Sequence, residues 1–239
     1  MVETEVGARM LPLLSRRYIH FMRLYVVRHG QTSWNIDGRT QGRTDIPLDE
    51  VGQLQAKALG SAFRDIPLDR ILCSDLLRAS QTAAAIGEAT GLIPLPLEDL
   101  RERSFGVWEG GPFTDIIPKT QEISEATGIP ILKVRPKNGE SIEDVWNRLD
   151  GVIRLIEEAE DRLAIVAHGG SGSVLLARLV LGSLETVRSF RLPNTSVTEL
   201  ERRPEGFYCM VRYADTSHLA QSNLAPAHVR EAAGASVRG

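Results

Sequence analysis

Cysteine is scarce in this chain. Its 239 residues hold two, Cys73 and Cys209, each in an apolar, strand-like run. Neither has metal-ligand spacing, and two buried free thiols are the expected state. That usage suits a reducing cytoplasm. The chain also lacks a basic excess: formal net charge is −3, so no broad positive field argues for nucleic acid. No apolar run is long enough to span a membrane. No secretory signal peptide is evident. The His and acidic residues lack the short-range spacing of zinc or calcium sites. No internal repeat is present. These absences exclude a metal-built module, a nucleic-acid binder carried by charge, and a membrane span.

What is there is an ordinary soluble composition, 42% hydrophobic and 25% charged. The length suits one α/β domain with a sizeable core. The most informative stretch is VVRHGQTSWN, residues 26–35. It follows an apolar run, 24–27, that reads as a buried strand. Residues just after a strand of an open α/β sheet sit at its carboxyl edge, where ligands bind. Arg28 and His29 are therefore presented where a small anion would dock. A histidine there can be a nucleophile, and an adjacent arginine can hold phosphate by charge-assisted hydrogen bonds. A solvated charge pair on a loop is the plainer alternative.

A second stretch repeats the design. LAIVAHGG, residues 163–170, runs through an apolar strand pattern into His168, Gly169 and Gly170. In a parallel sheet both histidines would share one edge and face each other. Glycines there let backbone N–H groups approach a ligand closely.

The remaining pattern alternates helix and strand. Asp49 caps a helix with an apolar face at Val51, Leu54, Ala58, Leu59 and Ala62. Strand 70–73 follows, then a helix opened by Ser74 and stopped by Gly91. A short strand spans 95–97. The stretch 113–138 holds Pro118, Pro130 and Pro136 and reads as a helical excursion over the sheet. Ser141 starts another helix, with Asp144 completing a weak capping box. A further helix covers about 173–181. Late strands at 196–201 and 207–213 complete a mixed sheet.

The ordered pieces VVRHGQTSWN, QGRTDIPL, CSDLLRASQTA, LRERSFGVWEG, NGES, VAHGG, NTSVTEL and DTSHL resemble the histidine phosphatase superfamily, the phosphoglycerate mutase-like family marked by an Arg-His-Gly triplet. The resemblance spans roughly residues 22–219. It implies a three-layer α/β/α fold with a mostly parallel, mixed central sheet. FGVWEG and NGES are similar to the broad-specificity phosphatase branch. Residues 1–21 then read as a nonessential extension, about 106–140 as a cap or lid, and 220–239 as a mobile tail.

The resemblance also implies roles. His29 is the nucleophile, which must be neutral to offer a ring lone pair; nearby arginines favour that form. Arg28 and Arg78 clamp phosphate, and His168 donates to a phosphoryl oxygen. Without the resemblance Arg78 reads as a surface helix arginine. Glu102 is the acid/base. Glu98, Asp99 and Glu109 compete on chemistry alone, and motif register selects Glu102. Arg101 and Arg103 would flank and support its ionised form. Asn35, Gln41 and Gly42 line the same pocket, and Gly169 supplies a backbone donor. Asp215, Thr216 and His218 read as structural hydrogen-bonding residues. No metal and no cofactor are called for.

The implied activity is metal-independent hydrolysis of a small-molecule phosphate monoester through phospho-His29. The alternative is a 2,3-bisphosphoglycerate-dependent phosphoglycerate mutase, whose long basic lid with paired arginines is missing here. A noncatalytic binding protein on the same fold is the third reading; every catalytic position is filled, which argues against it. Lys133, Arg135 and Lys137 alternate and would, if extended, present one cationic face to a second anionic group. A homodimer through an edge strand is left open.

Overall fold

The computed structural model describes residues 22–159, 162–222 and 224. The expected extension at 1–21 and nearly all of the expected tail lie outside them. Strand β1 (Arg23–Arg28) leads through the short helix α1 (Ser33–Ile36) into α2 (Glu50–Phe63). Then come β2 (Arg70–Ser74), α3 (Leu77–Thr90) and the short edge strand β3 (Leu95–Leu97). The excursion carries α4 (Ile116–Thr127) between 3₁₀ turns. Helices α5 (Ile142–Arg148) and α6 (Asp150–Glu157) precede β4 (Leu163–Ala167) and α7 (Gly169–Leu179). Strands β5 (Val197–Arg202) and β6 (Tyr208–Asp215) and helix α8 (Ser217–Gln221) finish the fold.

The sheet order is β3-β2-β4-β1-β5-β6. The first four strands in this order are parallel, β5 runs antiparallel to them, and β6, antiparallel to β5, returns to their direction. Period-two alternation in β1 buries both faces, as a covered parallel sheet requires. Leu24 and Val26 join a core with α5, α6 and α7, whereas Tyr25 and Val27 pack with α2 and α3 on the opposite face. The three-layer expectation is therefore met. The chain goes from β1 past β4's place to β2 and β3, and β4 later inserts between β2 and β1. The carboxyl ends of β1 and β4 thus lie side by side, with Arg28 in register with Ala167. Such a crossover point is where open α/β sheets bind ligands.

Several boundaries differ from expectation. Ser74 does not cap α3, because β2 runs through it and pairs with Leu97. Leu76 occupies the N-cap without a side-chain bond, and Asp45 accepts from the Leu77 N–H instead, at 2.7 Å. Arg78 is consequently the second helical residue. Helix α7 starts four residues earlier than its apolar pattern suggests, directly at Gly169, with His168 as N-cap. Cys73 is buried as expected, but Cys209 is half-buried, because β6 is an edge strand with Met210, Val211 and Tyr213 exposed. Ala220 and Gln221, placed by sequence in the tail, close α8. Asp49 and Ser141 cap α2 and α5 as expected, and Ser141 forms the full capping box with Asp144. Among the described residues no helix is long and apolar enough to cross a membrane.

Candidate active site

The first turn after β1 brings His29 against the end of β4. Its N–H donates to the carbonyl of Ala167 at 3.0 Å. The rings of His29 and His168 meet with centroids 5.1 Å apart and planes tilted by 59°. Nδ1 of His29 lies 2.7 Å from the Gly30 carbonyl oxygen. A carbonyl only accepts, so Nδ1 carries the proton and Nε2 of the neutral ring carries the lone pair. Burial holds the His29 pKa well below 6.5, reinforced by the charges of Arg78 and Arg28. The Gly30 carbonyl opposes this only in part. His168 is neutral for the same leading causes, burial first and Arg78 second. Neither of its ring nitrogens has a hydrogen-bond partner among the described residues.

Two buried guanidinium groups share this space. Arg28 ends β1 and donates to the Leu192 carbonyl. Arg78, fully buried on α3, donates to the carbonyls of Thr44 at 3.0 Å and Gly42 at 2.8 Å. Burial lowers both to about 10, opposed chiefly by Glu102, so both stay charged at neutral pH. The Nε–H of each is buried without a partner among the described residues. Orphaned buried donors are costly. Two of them, next to an unpartnered imidazole, define a place that favours an anion with several acceptor oxygens.

Glu102 reaches the same place from the turn after β3. Its carboxylate accepts from the N–H groups of Gly170 (2.8 Å), Ser171 (2.9 Å) and Arg103 (2.8 Å). The first two are free donors of the α7 N-terminus. A Cβ built on Gly169 would lie 3.7 Å from Nε of Arg28 and 4.0 Å from a Glu102 oxygen, so acid and clamp border one spot. Of the flanking arginines, Arg103 supports it through charge, Glu102 being the charge that most favours its guanidinium, but neither side chain is hydrogen-bonded to it. Arg101 pairs with Asp75, and the Arg103 guanidinium donates to the carbonyls of Glu140 and Val134.

The other expected residues divide. Asn35 has its Oδ1 committed to the capping box at Thr32, which leaves Nδ2 without an acceptor among the described residues. Gln41 is buried, with Oε1 unpartnered among the described residues. Gly42 contributes its carbonyl to Arg78. Its φ of +54° and a Glu109 oxygen 2.2 Å from where a Cβ would stand both demand glycine. Gly169 is the first residue of α7. Two of the three cations in the run are paired: Lys133 with Glu143 at 2.8 Å and Arg135 with Asp144, both carboxylates from α5. Lys133 also closes a 3₁₀ turn, so the run is not extended throughout. His218 and Asp215 make structural bonds, to Thr195 and to Arg212 and Ser217.

Sequence reasoning ranked Glu109 only as a rival acid. It instead organises the clamp loop. Its carboxylate accepts from the N–H groups of Arg43, Thr44 and Phe105, each at 3.0 Å, and from the Thr44 hydroxyl at 2.7 Å. Thr82 was also missed. One turn after Arg78, its hydroxyl accepts from the Gly30 N–H at 3.0 Å and donates to the Arg78 carbonyl at 2.7 Å. The WEG and SQT pieces held both residues, but no spacing rule assigns them these bonds.

Among the described residues, a neutral buried histidine with a free Nε2 is faced by a second histidine and two unsatisfied guanidinium donors at a parallel-sheet edge, an arrangement suited to an anion with several acceptor oxygens. A family profile of the histidine phosphatase superfamily (branch 1) matches residues 24–216, and the chain belongs to that superfamily. The Bacillus subtilis protein named as the uncharacterized phosphatase PhoE is 33% identical over 197 residues, covering 82% of this chain and 95% of its own. A Yersinia pestis protein named as the probable phosphoglycerate mutase GpmB is 30% identical over 204 residues, covering 83% and 95%. The crystal structure of the α-ribazole phosphatase from Shigella flexneri superposes with a TM-score of 0.72 at 30% identity, covering 82% of this chain and 97% of that one.

Proposed function

We propose that this protein hydrolyses a small-molecule phosphate monoester through a phosphohistidine on His29. The observation that carries the reading is the pairing of a lone-pair-bearing His29 Nε2 with the unpartnered donors of Arg28, Arg78 and His168. The phosphoryl oxygens accept from the two Nε–H groups, from His168 and from Asn35 Nδ2. Nε2 attacks phosphorus as the phosphorus–oxygen ester bond breaks, and Glu102 gives its proton to the leaving alkoxide. Charge on the equatorial oxygens is stabilised by the preorganised donors. Water then attacks the phosphohistidine, Glu102 takes its proton back, and inorganic phosphate leaves. The excursion over 106–140 serves as the cap, and Gln41 and Gly42 shape the substrate side. The free thiols suit a cytoplasmic setting.

A phosphatase is favoured over a mutase by charge. A mutase must hold two phosphoglycerate anions. Beyond Arg28 and Arg78, most cations of this region are paired: Arg43 with Glu140, Arg101 with Asp75, Lys133 with Glu143, Arg135 with Asp144, which leaves Lys137. The mutase reading is supported by the GpmB-type relative.

The test is phosphate release from a panel of monoesters with EDTA present, for the intact chain and His29→Ala. Release that persists in EDTA and disappears in the variant is expected. Release that needs a divalent ion, or survives His29→Ala, would overturn the reading. Interconversion of 3-phosphoglycerate dependent on added bisphosphoglycerate would install the mutase instead.

A further inference from the structure

The segment between α7 and β5 includes Asn194-Thr195-Ser196, which no step above uses. We propose that Asn194 is a positioning residue that fixes the ring tautomer of His29 and turns Asn35 toward the phosphoryl group, an inference that rests on the phosphohistidine reading for its catalytic meaning. Asn194 is fully buried. Its Nδ2 lies 3.0 Å from the His29 carbonyl, 3.1 Å from the Gly30 carbonyl and 3.3 Å from Asn35 Oδ1. All three are acceptors: two are carbonyls, and Asn35 Oδ1 is identified by the Thr32 N–H that donates to it. A flipped amide would set oxygen against three oxygens, so the nitrogen must face them.

The Gly30 carbonyl is the pivot. It accepts from His29 Nδ1 and from Asn194 Nδ2 together. Asn194 thereby holds the carbonyl that keeps the proton on Nδ1 and leaves Nε2 free. The same amide anchors the oxygen of Asn35 and leaves the Asn35 NH₂ for ligand.

The next residue supplies a second observation. Thr195 is β-branched yet has φ of +54°. Such backbone persists only where the surroundings over-determine it, and it clusters at functional sites. Here its N–H donates to the His29 carbonyl at 3.2 Å, its hydroxyl to the Asn194 carbonyl at 2.8 Å, and His218 Nε2 stands 3.3 Å from that hydroxyl. Two residues before Asn194, the Leu192 carbonyl accepts from Arg28. One short segment thus contacts Arg28, His29, Gly30 and Asn35.

The experiment uses the full chain as wild type and Asn194→Ala. Long-range ¹H–¹⁵N NMR reads the His29 tautomer, rapid quench reads phosphohistidine formation, and calorimetry reads binding of inorganic phosphate. Wild type is expected as the Nδ1–H tautomer. Asn194→Ala is expected to mix tautomers and slow phosphohistidine formation ~10- to 100-fold, while phosphate affinity, which loses the Asn35 contact but keeps both arginines and His168, falls less than the rate does, by under ~10-fold.

An unchanged tautomer and rate in Asn194→Ala would overturn the proposal. So would parallel losses of rate, phosphate affinity and melting temperature, which mark a purely structural role. If Asn194→Ala does not fold, an Nε2–H tautomer in wild type would still refute it. If wild type makes no phosphohistidine while the tautomer shift appears, the phosphatase reading fails and the positioning relation stands.

Discussion

The amide of Gly170 donates to Oε2 of Glu102 at 2.8 Å, and a Cβ at Gly170 would come within 2.5 Å of Oε1. The absence of a side chain at the helix N-terminus is therefore what admits the carboxylate. Gly170→Ala should push Glu102 off its two α7 donors. Because the obstacle is a side-chain end and Gly170 is exposed, folding should survive. The expectation is a ~10- to 100-fold fall in kcat with a small change in Tm. Steady-state kinetics and a thermal melt on the same preparation check it; an unaltered kcat would refute it.

Glu109 should act at a distance through Arg78. Glu109→Gln replaces an all-acceptor carboxylate with a group that brings a donor against N–H groups. Loop 41–44 then loosens, and with it the two carbonyls that orient Arg78. Stability should drop by about 1–3 kcal/mol. KM and the inorganic phosphate Kd should rise roughly 10-fold, with kcat less affected. Equal loss of both kinetic parameters would point to a different role.

Arg78→Lys tests the fork. Two of the Arg78 nitrogens satisfy carbonyls and the third is left for ligand. An ammonium on a flexible stem reproduces neither the planar geometry nor the count of donors. A fall in kcat/KM of roughly 100-fold or more is expected. A change within ~3-fold would show that charge alone suffices.

Stability should fall as pH drops. His29, His168 and His218 all have folded pKa values below 6.5, burial being the first cause in each. Below about pH 6.5 the unfolded chain binds protons that the folded chain refuses. The contribution is complete above that pH and is lost as pH falls, by up to about 1.4 kcal/mol per pH unit for each histidine. Urea unfolding between pH 7.5 and 5 reads the slope. His168→Gln should reduce it by about one proton's worth. A flat profile would contradict the neutral, buried histidine pair.

Neutralising the excursion's cations should do little. Lys133 and Arg135 sit in exposed pairs with Glu143 and Asp144. The double variant Lys133→Gln, Arg135→Gln should keep kcat/KM for a monophosphate within ~2-fold and stability within about 1 kcal/mol. A large loss of kcat/KM confined to doubly anionic substrates would restore the second-anion reading of this run.

Much of the fold was legible before any coordinates. The runs 24–27 and 163–167 are strands because each packs apolar residues on both faces. Asp49 and Ser141 cap helices because their side chains accept from N–H groups three residues on. Ser74 misled because the same residue type serves equally well at a strand end, and pairing with β3 claimed it. The α7 start was missed because glycine carries no helical signal of its own. The neighbouring carboxylate is what makes a glycine-rich first turn useful.

The sequence by itself determined the alternating elements, the two strand-end histidines and, by resemblance, the residues to examine. These are local matters of periodicity, capping and motif order. Only the tertiary structure decided which donors remain unpaired, because that depends on contacts between residues far apart in the chain. It committed Lys133 and Arg135 to α5, left Nε of Arg28 and Arg78 without partners, and converted Glu109 from a rival acid into the brace of a loop. It also brought Asn194, 165 positions from His29, onto the carbonyl that sets the ring's proton.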